Sequence, residues 1–269
     1  MLELTPFRAN ELAGSRRAKD RWFWGGFPPV HALSNAGQRS RWMESYVAAF
    51  LESDLPALGI RLPAQRLRTL WMMLTQVHGN LLNVSDLARS LAVSVPTVSR
   101  YLDVLEGACM IRRLFPHFAN IQKRLTKRPK IFLRDTGLLH FLAGLRRPSE
   151  LETWDRRGNS FAGLVIEELI SAAKDRYVRP HLAFWRTHAG AEVDLLIGNG
   201  KRLLPIEIKL GSSAGQYAVA GLRQCMKDLG LTRGWVITTG TERRSVGRGI
   251  EIVPWEAIAS GDFDFGLGK

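Results

Sequence analysis

Two segments of the sequence carry residue types that could do chemistry together. The segment GAEVDLLI contains Asp194, and the segment LPIEIKL places Glu207 and Lys209 two residues apart. Strand side chains alternate between faces, so Glu207 and Lys209 should lie on the same face of a strand. If the two segments pair as neighbours in a sheet, Asp194 comes alongside Glu207. Two carboxylates and an ammonium at one position suit Mg²⁺ or Mn²⁺ held next to a phosphate.

Such a cluster predicts metal-dependent hydrolysis of a phosphodiester. Asp194 and Glu207 would be the metal ligands, and Lys209 would orient the nucleophile or stabilise the transition state. Ionised groups within apolar strands are costly unless they are paired or bind a metal. The alternative is that Glu207 and Lys209 form a partly exposed ion pair at a sheet edge. The spacing of the residues does not separate these two interpretations.

The elements that would position this cluster lie in residues 149–269. The pattern there predicts a helix, three short apolar strands with Gly-containing turns, a second helix, and further strands. This order is typical of a mixed sheet flanked by helices. We therefore predict an α/β domain over this range.

Residues 61–148 have the pattern of a winged helix-turn-helix. Three helices are predicted, with Asn83 and Ser94 as N-caps and Pro96 in the first turn of the third helix, and the strand-like segment CMIRRLF follows. The alternative is a three-helix unit that only packs against a neighbouring domain. On a recognition helix, three side chains would face nucleic acid: Thr97, Ser99 and Arg100.

A basic tract follows these helices. Residues 107–134 contain eight Lys and Arg and no acidic residue, and residues 1–150 carry 22 basic and 11 acidic groups. Such an excess favours a polyanionic partner, with double-stranded DNA as the first expectation and RNA still open. The alternative is a basic surface that only maintains solubility. The candidate phosphate contacts in the tract are Lys123, Arg124, Lys127, Arg128 and Lys130.

The remaining composition narrows the class of protein. The two cysteines, Cys109 and Cys225, are far apart and have no Cys/His cluster beside them, which argues against a disulfide framework and a structural zinc site. The sequence contains neither a signal-like apolar segment nor a run long enough to span a bilayer. We expect a cytoplasmic protein with no membrane partner.

Five ordered segments carry a resemblance to known families. The region with Asp194, Glu207 and Lys209 resembles the PD-(D/E)xK nuclease superfamily, which includes restriction endonucleases. More broadly, the chain resembles the C-terminal part of bacterial AAA-type ATPases with a domain-of-unknown-function 4143 region. The resemblance implies an α+β chain in which a winged helix precedes a restriction-endonuclease-like mixed sheet. The matching segments are GGFPPV, RYLDVLEGACMIRRLFPHFAN, KRPKIFLRDTGLL, FWRTHAGAEVDLLI and LPIEIKLGSS.

Two departures from that family limit what the resemblance implies. The sequence has no GxxxxGK[ST] motif, so we expect no ATP site and no ATPase activity, and residues 1–60 would be a helical remnant of an ATPase domain. In the helix that precedes the sheet, Ala162 stands where the family has a glutamate, and Glu168 is the candidate substitute.

The resulting hypothesis is a DNA-interacting C-terminal module with a nuclease fold whose activity the sequence leaves open. The alternatives are a non-catalytic protein-interaction or regulatory module and a sequence-specific transcription regulator.

Overall fold

The computed structural model describes residues 6–12, 17–117, 128–212 and 216–268. Contacts divide the chain into two compact units that alternate along the sequence. The first unit comprises Met1–Phe7, Gly14–Arg113 and Ile131–Ser160, and the second comprises Arg8–Ala13, Leu114–Lys130 and Phe161–Lys269. The predicted segment boundaries near residues 60 and 148 stay predictions.

The first unit is mainly helical. Its helices are α1 (Arg17–Trp24), α2 (Pro28–Ala32), α3 (Ala36–Ala49), a π-helical segment (Phe50–Asp54), α4 (Leu55–Ala57), α5 (Ala64–Gln76), α6 (Val84–Ser90), α7 (Val95–Gly107), α8 (Thr136–Leu142) and α9 (Pro148–Thr153). Two strands, β1 (Ile111–Leu114) and β2 (Lys130–Leu133), form a small sheet that begins after α7.

The two predicted helix caps in this unit are confirmed. The Asn83 side chain accepts hydrogen bonds from the backbone N–H groups of Ser85 and Asp86, and the Ser94 hydroxyl accepts one from Thr97. These bonds satisfy N–H groups that have no partner within the first turn of a helix. The caps therefore place α6 and α7 on either side of a short turn.

Residues before α5 pack into the same core as the helices after it. Phe23, Val30 and Met43 are buried in a hydrophobic cluster with Leu70 and Leu105. The GGFPPV and RDTGLL segments also meet, because the Asp135 carboxylate accepts N–H bonds from Gly26 at 2.7 Å and Leu138 at 2.8 Å. Much of the segment predicted to be a remnant of an ATPase domain therefore contributes to this core, and its origin stays a prediction.

The second unit is an α/β unit with a six-stranded mixed sheet. Its elements are a 3₁₀ helix (Ala9–Leu12), α10 (Arg157–Arg176, within this unit from Phe161), β3 (His181–Arg186), β4 (Glu192–Asn199), β5 (Arg202–Lys209), α11 (Gln216–Leu229), β6 (Gly234–Thr238), β7 (Arg244–Ser245), β8 (Ile250–Pro254) and α12 (Trp255–Ser260).

The strand order is β3-β4-β5-β6-β8-β7, with β5, β6 and β8 parallel and the other pairs antiparallel. The prediction of a mixed sheet with helices is confirmed. Helix α11 packs Leu222 and Cys225 against Val236 and Ile252 of the sheet. In the described part of the chain, the helices are too short or too polar to cross a membrane.

Candidate functional site

The candidate site lies where the ladder between β4 and β5 ends. The last backbone pair at this end joins Leu195 to Ile206, so Asp194 and Glu207 are the next residues on the two strands. Past this pair, each carboxylate accepts a backbone N–H group from the opposite strand. The N–H of Asp194 donates to Oε2 of Glu207 at 3.3 Å, and the N–H of Ile208 donates to Oδ2 of Asp194 at 3.1 Å. Beyond the last backbone pair, hydrogen bonds from backbone N–H groups to these two carboxylates therefore connect β4 and β5.

The other oxygen of Asp194 contacts Lys130, which the sequence predicted to contact a phosphate of nucleic acid. The Nζ atom of Lys130 lies 3.1 Å from Oδ1 of Asp194 and 2.5 Å from Oε1 of Glu192. Lys130 is buried, and its ammonium lies 5.5 Å from the centroid of the Phe184 ring. Burial opposes the charged form, but attraction to Asp194 and Glu192 raises the pKa of Lys130. Lys130 therefore bridges two carboxylates as a cation.

Glu207 is buried beside the ammonium of Lys209. Its Oε1 atom lies 2.7 Å from Nζ of Lys209. Burial and the negative charge of Asp194 raise the pKa of Glu207 to about 8. Lys209 opposes this rise, because its ammonium attracts the ionised carboxylate. The Lys209 side chain itself is 45% exposed, so solvent weakens that attraction.

Glu192 completes the cluster from the start of β4. Its second oxygen, Oε2, lies 2.9 Å from Nη1 of Arg186 on the neighbouring strand β3. We define the carboxylate cluster as Glu192, Asp194 and Glu207. Each of its six carboxylate oxygens thus contacts a donor: Lys130, Arg186, Lys209, or a backbone N–H group.

These contacts test whether the site fits Mg²⁺ or Mn²⁺. The oxygen donors match the preference of both ions, but every one of the six already has a protein partner, and Lys130 lies between two of the carboxylates. Within the described residues, no group of three or more His, Cys, Asp or Glu is arranged to hold a metal ion. As arranged, the carboxylate cluster does not fit a divalent cation.

Glu168 takes part in a different contact network. It lies on α10, is buried, and accepts hydrogen bonds from the N–H of Ala9 to both carboxylate oxygens at 3.1 and 3.2 Å. It lines a cleft of about 230 Å³ whose lining does not include Asp194, Glu207 or Lys209. Arg8 of this cleft pairs with Asp175 at 2.7 Å. The two hydrogen bonds to Glu168 therefore anchor the first residue of the 3₁₀ helix to α10.

Ala162 is half-buried near the start of α10. Its methyl side chain offers no ligand atom to the cluster. The hydrogen bonds described for Glu168 join it to Ala9 and not to a member of the cluster.

The predicted nucleic-acid contacts on α7 face solvent to different degrees. Arg100 is exposed, while Thr97 and Ser99 are half-buried. On the same helix, Asp103 and Glu106 bind Arg113, with Oδ1 of Asp103 at 2.8 Å from its Nη2 atom. These two acids reduce the positive charge of the surface around α7.

The predicted contacts of the basic tract divide into three groups. Arg128 is exposed. Lys130 is buried in the second unit and faces carboxylates, so its ammonium is not at a phosphate-accessible surface. The predictions for Lys123, Arg124 and Lys127 lie outside the described residues.

The sequence did not predict Glu192 as a member of the cluster, and it predicted Lys130 as a phosphate contact and not as a partner of these carboxylates. Glu192 was detectable, since it stands two residues before Asp194 in a strand-like segment. Lys130 gave no comparable signal, because 64 residues separate it from Asp194.

Comparison with known proteins assigns the chain to a family. Residues 15–149, half of the chain, match the family model described as Domain of unknown function (DUF8612). The chain belongs to this family. After the DUF8612 region, residues 157–258 match Domain of unknown function (DUF4143), so the resemblance to the 4143 region is confirmed. Lys130 lies in the DUF8612 region, and its partners Glu192 and Asp194 lie in the DUF4143 region.

Two curated relatives match almost the whole chain. The chain is 37% identical over 259 residues to Uncharacterized protein Rv2008c of Mycobacterium tuberculosis and to Uncharacterized protein Mb2031c of Mycobacterium bovis. The matches cover 96% of this chain and 57% of each relative, so the chain spans little more than half of their length. No solved structure matches the chain.

Proposed function

We propose that the chain is a nucleic-acid-binding module whose ligand is double-stranded DNA. In this proposal α5, α6, α7, β1 and β2 form a winged helix, and the second unit is a nuclease-like fold. The observation that supports it is the order of elements around α7. His78, which precedes α6, forms a parallel β-bridge with Ile131 of β2. The strands β1 and β2 follow α7, and this is the order of a helix-turn-helix with a wing.

The side-chain directions along α7 support the same proposal. Val98, Leu102 and Leu105 are buried, whereas Arg100 is exposed. A helix with one apolar face in the core can present its other face to the major groove. Arg100 is then the side chain of this unit best suited to contact a base edge or a phosphate.

Fluorescence anisotropy with a labelled duplex tests this proposal. We expect the affinity to fall as salt rises, because phosphate contacts release counterions. Arg100→Ala should weaken binding by about tenfold, the loss of one good charged contact. Arg244→Ala is the matched control, because Arg244 is also exposed but lies on β7 of the second unit. Equal affinities for the two variants would count against a recognition role for α7.

The second candidate function is a protein-interaction or regulatory module. It is supported by Asp103 and Glu106, which neutralise Arg113 beside the face that would meet phosphates. This candidate predicts no salt-dependent binding to duplex DNA or RNA by the wild-type chain in the same assay.

Cleavage of DNA is a separate part of the proposal. The convergence of Asp194, Glu207 and Lys209 supports a phosphodiesterase that uses Mg²⁺ or Mn²⁺, but Lys130 would first have to leave Asp194. We therefore expect binding without cleavage. Supercoiled plasmid incubated with either metal should stay intact, and nicking that disappears in Asp194→Ala would establish the enzyme instead.

The resemblance to AAA-type ATPases supports a role as a C-terminal module within or beside such an ATPase. This chain has no GxxxxGK[ST] motif, so ATP should leave its duplex affinity unchanged. A shift in affinity on addition of ATP would contradict that assignment.

A further inference from the structure

We propose that Lys130 is the resident cation of the carboxylate cluster, that the cluster is an internal ionic lock, and that removing the Lys130 ammonium would turn it into a divalent-cation site. This inference concerns a different part of the chain from the α7 surface, and it does not depend on DNA binding.

The position of the ammonium is the first argument. The Nζ atom of Lys130 contacts Oε1 of Glu192 at 2.5 Å and Oδ1 of Asp194 at 3.1 Å, so it lies between two carboxylates of one strand. A divalent cation held by the same two carboxylates would occupy this space. The Lys130 side chain is 4% exposed and lies over the Phe184 ring. The ammonium is therefore almost wholly buried in this arrangement.

The charge balance is the second argument. When all groups are ionised, Glu192, Asp194 and Glu207 carry three negative charges, and their cationic partners Lys130, Lys209 and Arg186 carry three positive charges. In that state the lock is neutral without a metal ion, and protonation of Glu207 makes its net charge positive. A divalent cation added to it would leave two uncompensated positive charges beside a buried ammonium, where repulsion is only weakly screened.

The saturation of the oxygens is the third argument. All six carboxylate oxygens contact donors of the protein, so a metal ion would have to displace existing partners. Losing Lys130 frees one oxygen of Glu192 and one of Asp194 at the same time. The substitution thus removes the competing charge and opens two ligand positions in a single step.

Mn²⁺ binding to Lys130→Met tests the inference. Methionine keeps much of the length of lysine and removes its charge. The probe is Mn²⁺ alone, with binding followed by the loss of the free-ion electron paramagnetic resonance signal and by thermal unfolding. We expect any weak Mn²⁺ binding by the wild-type protein to be unchanged by Asp194→Asn. Lys130→Met should bind Mn²⁺ at least about tenfold more tightly than the wild-type protein does, and Mn²⁺ should raise its Tm.

Two matched variants separate charge from packing. Lys130→Arg keeps a positive charge and should not bind Mn²⁺. The double variant Lys130→Met with Asp194→Asn removes one charge of each sign, so it should fold and bind no Mn²⁺. If Lys130→Met is unfolded alone, its refolding by Mn²⁺ supports the inference.

Three outcomes would overturn it. The first is Mn²⁺ binding by the wild-type protein that Asp194→Asn abolishes. The second is a folded Lys130→Met variant without Mn²⁺ binding. The third is a Lys130→Met variant that Mn²⁺ does not refold while the double variant folds.

Discussion

Glu168 on α10 and Glu207 on β5 are two carboxylates with the same burial and different surroundings. Both side chains belong to residues that are 6% exposed. Glu168 accepts the backbone N–H of Ala9, whereas Glu207 faces Asp194, Lys209 and the N–H of Asp194. The difference teaches that burial of a carboxylate does not by itself indicate a reactive site. At Glu207, it is burial together with the negative charge of Asp194 that raises the pKa.

The largest effect should come from Asp194→Ala in the carboxylate cluster. The substitution leaves the buried Lys130 ammonium with Glu192 alone and removes the acceptor of the Ile208 N–H. Breaking a buried ion pair costs about 3–5 kcal/mol, so we expect a loss of this order in the free energy of unfolding, measured with urea. Asp262→Ala, at an exposed position, is the control. Similar losses in both variants would show that Asp194 is not held in the lock.

A smaller loss is expected at Glu168. Glu168→Ala removes the carboxylate that accepts the N–H of Ala9, and an unsatisfied buried donor costs about 1–3 kcal/mol. The same urea titration measures it, with Glu256→Ala on the exposed side of α12 as the control. A loss as large as that of Asp194→Ala would erase the distinction between the two carboxylates.

Glu207 should make the free energy of unfolding depend on pH. The folded pKa of Glu207 is raised from 4.5 to about 8. In that window the folded state therefore binds more protons than the unfolded state. Stability then falls as pH rises through this range, with a slope of at most about 1.4 kcal/mol per pH unit for one proton. Glu207→Gln should flatten this part of the urea-stability profile, and an unchanged profile would contradict the raised pKa.

The smallest effect should be that of Lys209→Met. The Lys209 side chain is nearly half exposed, and exposed ion pairs contribute about 0–1 kcal/mol. Because Lys209 lowers the pKa of Glu207, its removal should move the Glu207 titration to higher pH. Carboxyl resonances followed by nuclear magnetic resonance would detect the shift. A shift to lower pH would mean that Lys209 does not face Glu207.

The sequence predicted the centre of the site because the centre depends on local geometry. Asp194 and Glu207 lie on consecutive strands joined by a short turn, so alternation and strand pairing suffice to bring them together. The same applies to the N-caps Asn83 and Ser94, whose bonds reach only two or three residues ahead.

The rest of the site depends on contacts between distant parts of the chain. Lys130 binds residues more than sixty positions away, and Glu168 binds an N–H group 159 positions away. Composition marked Lys130 as part of a basic surface, since a buried and an exposed lysine look alike in sequence. Only the fold distinguishes an ammonium that faces carboxylates from one that faces solvent.

The second unit is assembled from three separate stretches of chain, which limits where recombination could divide the gene without breaking contacts within this unit. A recombination break between residues 149 and 157 would fall cleanly between the two family regions. It would nevertheless separate Glu192 and Asp194 from Lys130, and Glu168 from Ala9. It would also remove the backbone bonds that Phe115 and His117 make to Phe184 on β3. The DUF4143 region of this chain therefore cannot be transferred to another protein with all of its contacts intact. We expect selection to keep it together with the sequence that precedes it.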